Sequence, residues 1–167
     1  MRNRMLSNTQ EKSGLFKEID SLVSSLSLSL VEVTKTERKG GVDMTVILYR
    51  SDSDITLDEL ESAYNIIYPR YSVLLGERDL NLEVSSPGLG RNIKDLSEFS
   101  VFTGKRVRLY STGYSSYVSG MIESCDERSL TLTDYLIEDK KESGERIVIT
   151  YDTIAKAKLD YKWEDEK

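Results

Sequence analysis

The sequence predicts an α+β chain in two parts: a three-stranded sheet with helices in the order α-β-β-α-β-α, followed by a small all-β barrel. Three observations predict it. Apolar residues recur at helical spacing in two long segments. The segments between them alternate apolar and polar residues, as half-buried strands do. From Lys105 the period becomes two and stays there, in short runs that a chain of this length buries best by curling the sheet on itself. The expected boundaries are residues 1–104 for the first domain, 105–161 for the barrel and 162–167 for a charged tail.

Between Thr9 and Leu26 the residues Leu15, Phe16, Ile19, Leu22, Val23 and Leu26 mark the apolar face of a first helix. The runs Leu30 to Thr36 and Met44 to Arg50 flank Arg38-Lys39-Gly40-Gly41 and read as a hairpin. A second helix begins at Thr56, where Glu59 completes a reciprocal capping box and Ile55 and Leu60 form a hydrophobic staple. Asp58, Glu59 and Glu61 suit the positive end of its dipole. Leu57, Leu60, Tyr64, Ile67, Tyr71 and Leu74 are its expected inner face, and Pro69 is expected to kink or split it near Asn65 to Tyr68.

Leu80, Leu82 and Val84 alternate, so Asp79 to Ser85 is a strand, ended by Ser86-Pro87-Gly88-Leu89-Gly90. Asp95 and Glu98 open a short helix carrying Leu96, Phe99 and Phe102, which stops at Gly104. The barrel strands come next, marked by Val107 and Leu109, by Val118, Gly120 and Ile122, and by Leu130 and Leu132. Ile147, Ile149 and Tyr151, then Ala155, Ala157 and Leu159, mark the last two. Gly120 is the expected bend point, and Asp152-Thr153-Ile154 a tight turn between the final strands.

Composition excludes several kinds of chemistry. The 167 residues contain no histidine, which removes the commonest general base near neutral pH and the commonest metal ligand. The single cysteine, Cys125, permits neither an intrachain disulfide nor a Cys-rich zinc site. It sits among Glu123, Asp126 and Glu127, which disfavour a reactive thiolate. Ser85 or Ser86 would need a lysine or carboxylate as base to act as a nucleophile. Gly88-Leu89-Gly90 lacks the rest of either phosphate-loop signature and reads as a turn with positive φ. Asp52, Asp54, Asp58, Glu59 and Glu61 match no calcium loop and read as helix capping and solvated surface. No cofactor, metal or catalytic residue is expected. No apolar run approaches the roughly 20 residues of a membrane span. Met1-Arg2-Asn3-Arg4 is not followed by a leader's apolar stretch, so the expected setting is the cytoplasm, without a membrane. A monomer is expected.

Charge is the informative feature. Lys and Arg number 23 against 29 Asp and Glu, a net −6. Such a chain is repelled by nucleic acid at long range unless its cations gather locally. From Arg91 to Arg108 there are five cations, Arg91, Lys94, Lys105, Arg106 and Arg108, against Asp95 and Glu98. That segment carries +3 and leaves −9 for the rest. It brackets the expected domain junction and is a candidate contact for RNA phosphates.

The segment LEVSSPGLGRNIK, Leu82 to Lys94, closely resembles the strand-and-loop signature of the bacterial ribosome maturation factor RimP family. ITLDELESAY (Ile55 to Tyr64) resembles that family's second helix start, and FSVFTGKRVRL (Phe99 to Leu109) its domain junction. DTIAKAKL (Asp152 to Leu159) resembles its last turn and strand. Ser85, Ser86, Pro87, Gly88 and Arg91 keep the family pattern, whereas Gly90 and Asn92 replace the usual acidic residue and proline. The resemblance implies a C-terminal Sm-like (SH3-type) barrel. It also implies a non-enzymatic assembly factor for the small (30S) ribosomal subunit. Such a factor binds immature subunits and a basic small-subunit ribosomal protein near the decoding region. The docking residues expected on this reading are Ser85, Ser86, Pro87, Gly88, Arg91, Lys94, Lys105, Arg106 and Arg108, with local contact to ribosomal RNA. The alternative is a general RNA-binding Sm-like module, for which Tyr110, Tyr114 and Tyr117 would offer stacking surfaces.

Overall fold

The computed structural model describes Leu6 and residues 13–160. The charged tail expected at 162–167, the chain start and the first residues of the expected N-terminal helix lie outside the described residues. Packing divides the chain into two compact units, one ending at Pro87 and the other beginning at Gly88.

The first unit is a three-stranded sheet with two helices. Helix α1 (Gly14–Ser24) starts at Ser13, whose hydroxyl accepts the Phe16 N–H at 3.3 Å, and it buries Phe16, Ile19 and Val23. Strands β1 (Ser29–Arg38) and β2 (Gly41–Tyr49) form the expected hairpin, closed at the Arg38–Gly41 pair. Gly40 takes a φ of 81° at the turn. Gly41 is needed for another reason: a Cβ there would stand 2.5 Å from the Asp79 carbonyl oxygen, where β3 (Asp79–Ser85) begins its parallel pairing with β2.

Helix α2 (Leu57–Leu75) connects those parallel strands, and its Thr56–Glu59 capping box is formed in both directions. Two expectations about it are corrected. Pro69 lies inside one continuous helix and does not split it. Pro69 and Asn65 are both on the solvent side, so water reaches the Asn65 carbonyl that loses its N–H partner. Packing of Ile67 and Tyr71 on the core holds the turns either side. The inner face is also rotated from the expected one. Ala63, Ile67 and Tyr71 are buried, whereas Leu57 and Leu74 are 83% and 70% exposed and Tyr64 is at the surface.

The second unit opens with an irregular stretch and one helical turn, α3 (Glu98–Val101). Five strands come after it: β4 (Arg106–Ser111), β5 (Ser116–Cys125), β6 (Ser129–Ile137), β7 (Glu142–Thr150) and β8 (Ile154–Leu159). Their order is β7-β6-β5-β4-β8, antiparallel throughout. All the expected strands are present, but no ladder among the described residues joins β7 to β8, so the sheet is not a closed barrel. The free edge of β8 pairs with the segment before α3 instead: Ile93 N–H donates to the Ala157 carbonyl at 2.8 Å, and Leu159 N–H donates to the Arg91 carbonyl at 2.9 Å.

Two irregularities shape this sheet. At Gly120 the β5–β6 register shifts, and a Cβ there would lie 3.0 Å from Leu132 and from the Thr133 carbonyl. At Ala155 one extra residue interrupts the β4–β8 ladder, so that Ile154 pairs with Ser111 while Lys156 pairs with Tyr110. Ile154 and Ala157 are consequently buried and Ala155 is not fully so, contrary to the uniform alternation expected. Tyr151 belongs to a 3-10 turn, Tyr151–Thr153, and stacks on Phe99 with ring centroids 6.0 Å apart.

Gly41→Ala is expected to lower stability by about 1–3 kcal/mol, the usual cost of overpacking against a neighbour that cannot retreat. Urea unfolding checks it, with Gly88→Ala, which meets nothing within 4 Å, as the near-neutral control.

Candidate functional site

The residues singled out by sequence fall in both units. Ser85 ends β3 and, like Pro87, is partly buried; Ser86 and Gly88 are exposed. The turn after them is real, with Arg91 N–H donating to the Gly88 carbonyl at 3.2 Å. It does not need positive φ, because neither Gly88 nor Gly90 adopts it. Asp52 and Glu59 of the acidic cluster are both taken up by Arg50, at 2.7 and 2.9 Å. The Arg50 guanidinium holds both carboxyls below their ordinary range.

In the second unit the five cations have separate tasks. Arg91 is buried, its Nε donating to Glu98 Oε1 at 2.7 Å, and the pair's side chains are 6% and 1% exposed. The other oxygen of Glu98 accepts the Lys94 and Asp95 N–H groups at 3.1 Å each. Asp95 Oδ1 in turn accepts from Ser97 N and Oγ. This buried network fixes the segment that lies along β8 and sets Phe99 and Phe102, both 0% exposed, into the core. Lys94 and Lys105 are exposed. Arg106 is nearly covered, with Nη1 3.5 Å from Asp134 and Nε buried without a hydrogen-bond partner.

Arg108 has a different setting. Its guanidinium grips Glu138, with Nη2 at 2.9 Å and Nε 3.2 Å from both carboxylate oxygens, which raises its pKa further. It also lies 3.8 Å over the ring of Tyr117. Tyr117 meets Tyr110 edge-on at 5.2 Å, and Lys156 approaches the same ring at 5.4 Å. A shallow groove of about 230 Å³ is lined here by Asn92, Arg108, Tyr117, Lys156, Ala157 and Lys158. Sequence reading missed Lys156 and Lys158. Their period-two spacing was visible, but their neighbours become evident only when β8 is registered against β4. Tyr114 stands apart from this cluster in the contacts it makes, with Lys140 over its ring at 5.4 Å.

The acidity is uneven. Residues 13–87 hold seven Lys/Arg against thirteen Asp/Glu, net −6, whereas residues 88–160 hold eleven against twelve, net −1.

Residues 18–90 match the family described as the RimP N-terminal domain, ending within three residues of the boundary of the first compact unit. Beyond that domain the likeness continues. Ribosome maturation factor RimP of Borrelia recurrentis is 26% identical over 155 residues, covering 92% of this chain and 97% of its own. RimP of Borrelia garinii subsp. bavariensis is also 26% identical, with 93% and 99% covered. The chain is similar to RimP proteins over most of its length. The N-terminal match covers the three-stranded sheet, and the similarity to these relatives extends through the buried Arg91–Glu98 pair and the five-stranded sheet. The protein of Borreliella burgdorferi strain ZS7 bearing the same name is 24% identical across 93% of this chain.

Arg91→Ala is expected to destabilise the second unit by about 3–5 kcal/mol, because it leaves the Glu98 carboxylate buried and uncompensated. Replacing both partners, as Arg91→Leu with Glu98→Leu, should recover part of that loss. Denaturant unfolding followed by the fluorescence of the tyrosines reads both, and equal loss in the single and double variants would contradict a charge-pair origin.

Proposed function

We propose that this chain is a non-enzymatic factor for ribosome maturation, acting on the small subunit. The observation that carries this reading is the likeness to relatives named Ribosome maturation factor RimP over nine-tenths of this chain and nearly all of theirs. Two features support a binding role over catalysis: the sequence contains no histidine, and the serines that could serve as nucleophiles stand at an ordinary strand end and loop. Among the described residues no helix is long and apolar enough to cross a membrane.

The distribution of charge suggests how such a factor works. The first unit, at −6, suits a basic ribosomal protein as partner and discourages indiscriminate contact with RNA. The exposed members of the expected docking set, Ser86, Gly88, Lys94 and Lys105, are available to a particle surface, with Ser85, Pro87, Arg106 and Arg108 partly so. Arg91 contributes by holding its segment in place. Binding favours one conformation of an immature subunit, and maturation removes the docking surface.

The expected result is co-sedimentation with immature small subunits in preference to mature ones at moderate salt. Equal recovery on both particles would reject maturation-selective binding. Lys94→Glu with Lys105→Glu should reduce recovery while leaving the thermal midpoint unchanged; full recovery would remove those lysines from the docking surface.

A further inference from the structure

We propose that the outward face of β4, β5 and β8, centred on Arg108, Tyr117, Lys156 and Lys158, is a binding site for single-stranded RNA. The inference deepens the maturation reading by naming the ligand class of one surface, and its test is arranged so that the two fail separately.

The site is built by register. On β4 the side chains of Val107 and Leu109 are buried, so Arg106, Arg108 and Tyr110 share the opposite face. Arg108 stands across from Lys158 on β8 and Ser119 on β5, and Tyr110 stands across from Lys156 and Tyr117. Asn92 completes the row, bridged to Lys158 from the segment on the free edge of β8. Two cations directly opposite each other, with a third two residues along, destabilise a sheet. That arrangement is the more unusual in a chain where carboxylates outnumber cations.

The charges around it do not cancel it. Glu138 engages Arg108, and Asp160 acts on it at longer range. No carboxylate lines the groove itself, while Lys156 and Lys158 are both exposed. Glu138 and Tyr117 together hold the guanidinium flat, so its orientation is set before any ligand arrives. Along β8 the two lysines stand about 7 Å apart, a ladder on which successive phosphates can rest.

The chemistry favours RNA over an acidic protein segment. Carboxylates need only the cations. Here the cations interleave with two tyrosines and an amide, the combination that accepts phosphates, stacked bases and base-edge hydrogen bonds together. A guanidinium plane is itself a stacking surface for a base.

The test is fluorescence anisotropy of the full chain with a labelled single-stranded RNA decamer of mixed sequence, titrated at several salt concentrations. Lys156→Glu with Lys158→Glu is expected to weaken binding at least tenfold and to flatten the slope of log K against log salt by about 1.4, the value for two lost phosphate contacts on a single strand. Tyr117→Leu should weaken binding with the slope kept. Lys35→Glu with Lys39→Glu, the same charge change in the first unit, should leave affinity within about twofold, as expected when the phosphate contacts lie elsewhere. Circular dichroism confirms that each variant is folded, and Lys156→Gln with Lys158→Gln repeats the test if the reversal does not fold. Equal loss in both lysine pairs, no loss in either, or an acidic decapeptide that binds the same face more tightly than the RNA overturns the proposal. Absent RNA binding with co-sedimentation intact overturns this inference alone. RNA binding intact without co-sedimentation overturns the maturation reading and leaves this one standing.

Discussion

A guanidinium and a carboxylate almost sealed from water hold the lead-in of the second unit against the edge of its sheet. Because Glu98 is engaged by Arg91 at one oxygen and by two backbone N–H groups at the other, residues 91–98 have little conformational choice. The strand-like pairing of 91–93 with β8 results, as does the burial of Phe99 and Phe102. That pairing supplies hydrogen-bond partners to the β8 edge, which in a closed barrel would have paired with β7. Asn92 reaches the outer groove through the same geometry. A buried ion pair is weak evidence for net stability in itself, but losing one partner is costly, which makes this pair a strict positional constraint.

The second theme is the separation of charge between units. The surplus of carboxylates belongs to the first, whereas the second is close to neutral and keeps cations on one face of its sheet. A ligand approaching the protein therefore meets two different fields within one chain. Long-range repulsion of polyanions and short-range attraction at a chosen face are compatible, since screening confines each to about 8–10 Å at physiological ionic strength. Such a surface discriminates by geometry more than by overall affinity.

Much of the fold was legible in the sequence because local signals agreed with tertiary packing. Thr56 and Glu59 announced a helix start, Gly40 and Gly41 a hairpin, and Leu80, Leu82 and Val84 a strand, and each is present. Pro69 misled because the cost of the hydrogen bond it removes depends on whether the freed carbonyl meets water, which sequence does not say. The inner face of α2 was misplaced because Leu57, Tyr64 and Leu74 are apolar without being covered. Closure of the second sheet was misjudged because the competitor for the β8 edge lies more than sixty residues earlier in the chain. The candidate site was legible only in fragments. Composition located the cations near 91–108, but whether one is buried with a carboxylate, as Arg91 is, or spread over a tyrosine, as Arg108 is, depends on contacts between distant segments.

The bulge at Ala155 has a consequence for how this sequence can vary. It is the spare residue that lets Ile154 and Ala157 point inward while Lys156 and Lys158 point out. Side-chain changes on that strand alter one position each, but losing or gaining a single residue there would exchange lysines for core side chains along the rest of β8. Length, more than residue identity, is therefore the property that mutation can least afford to disturb at this edge.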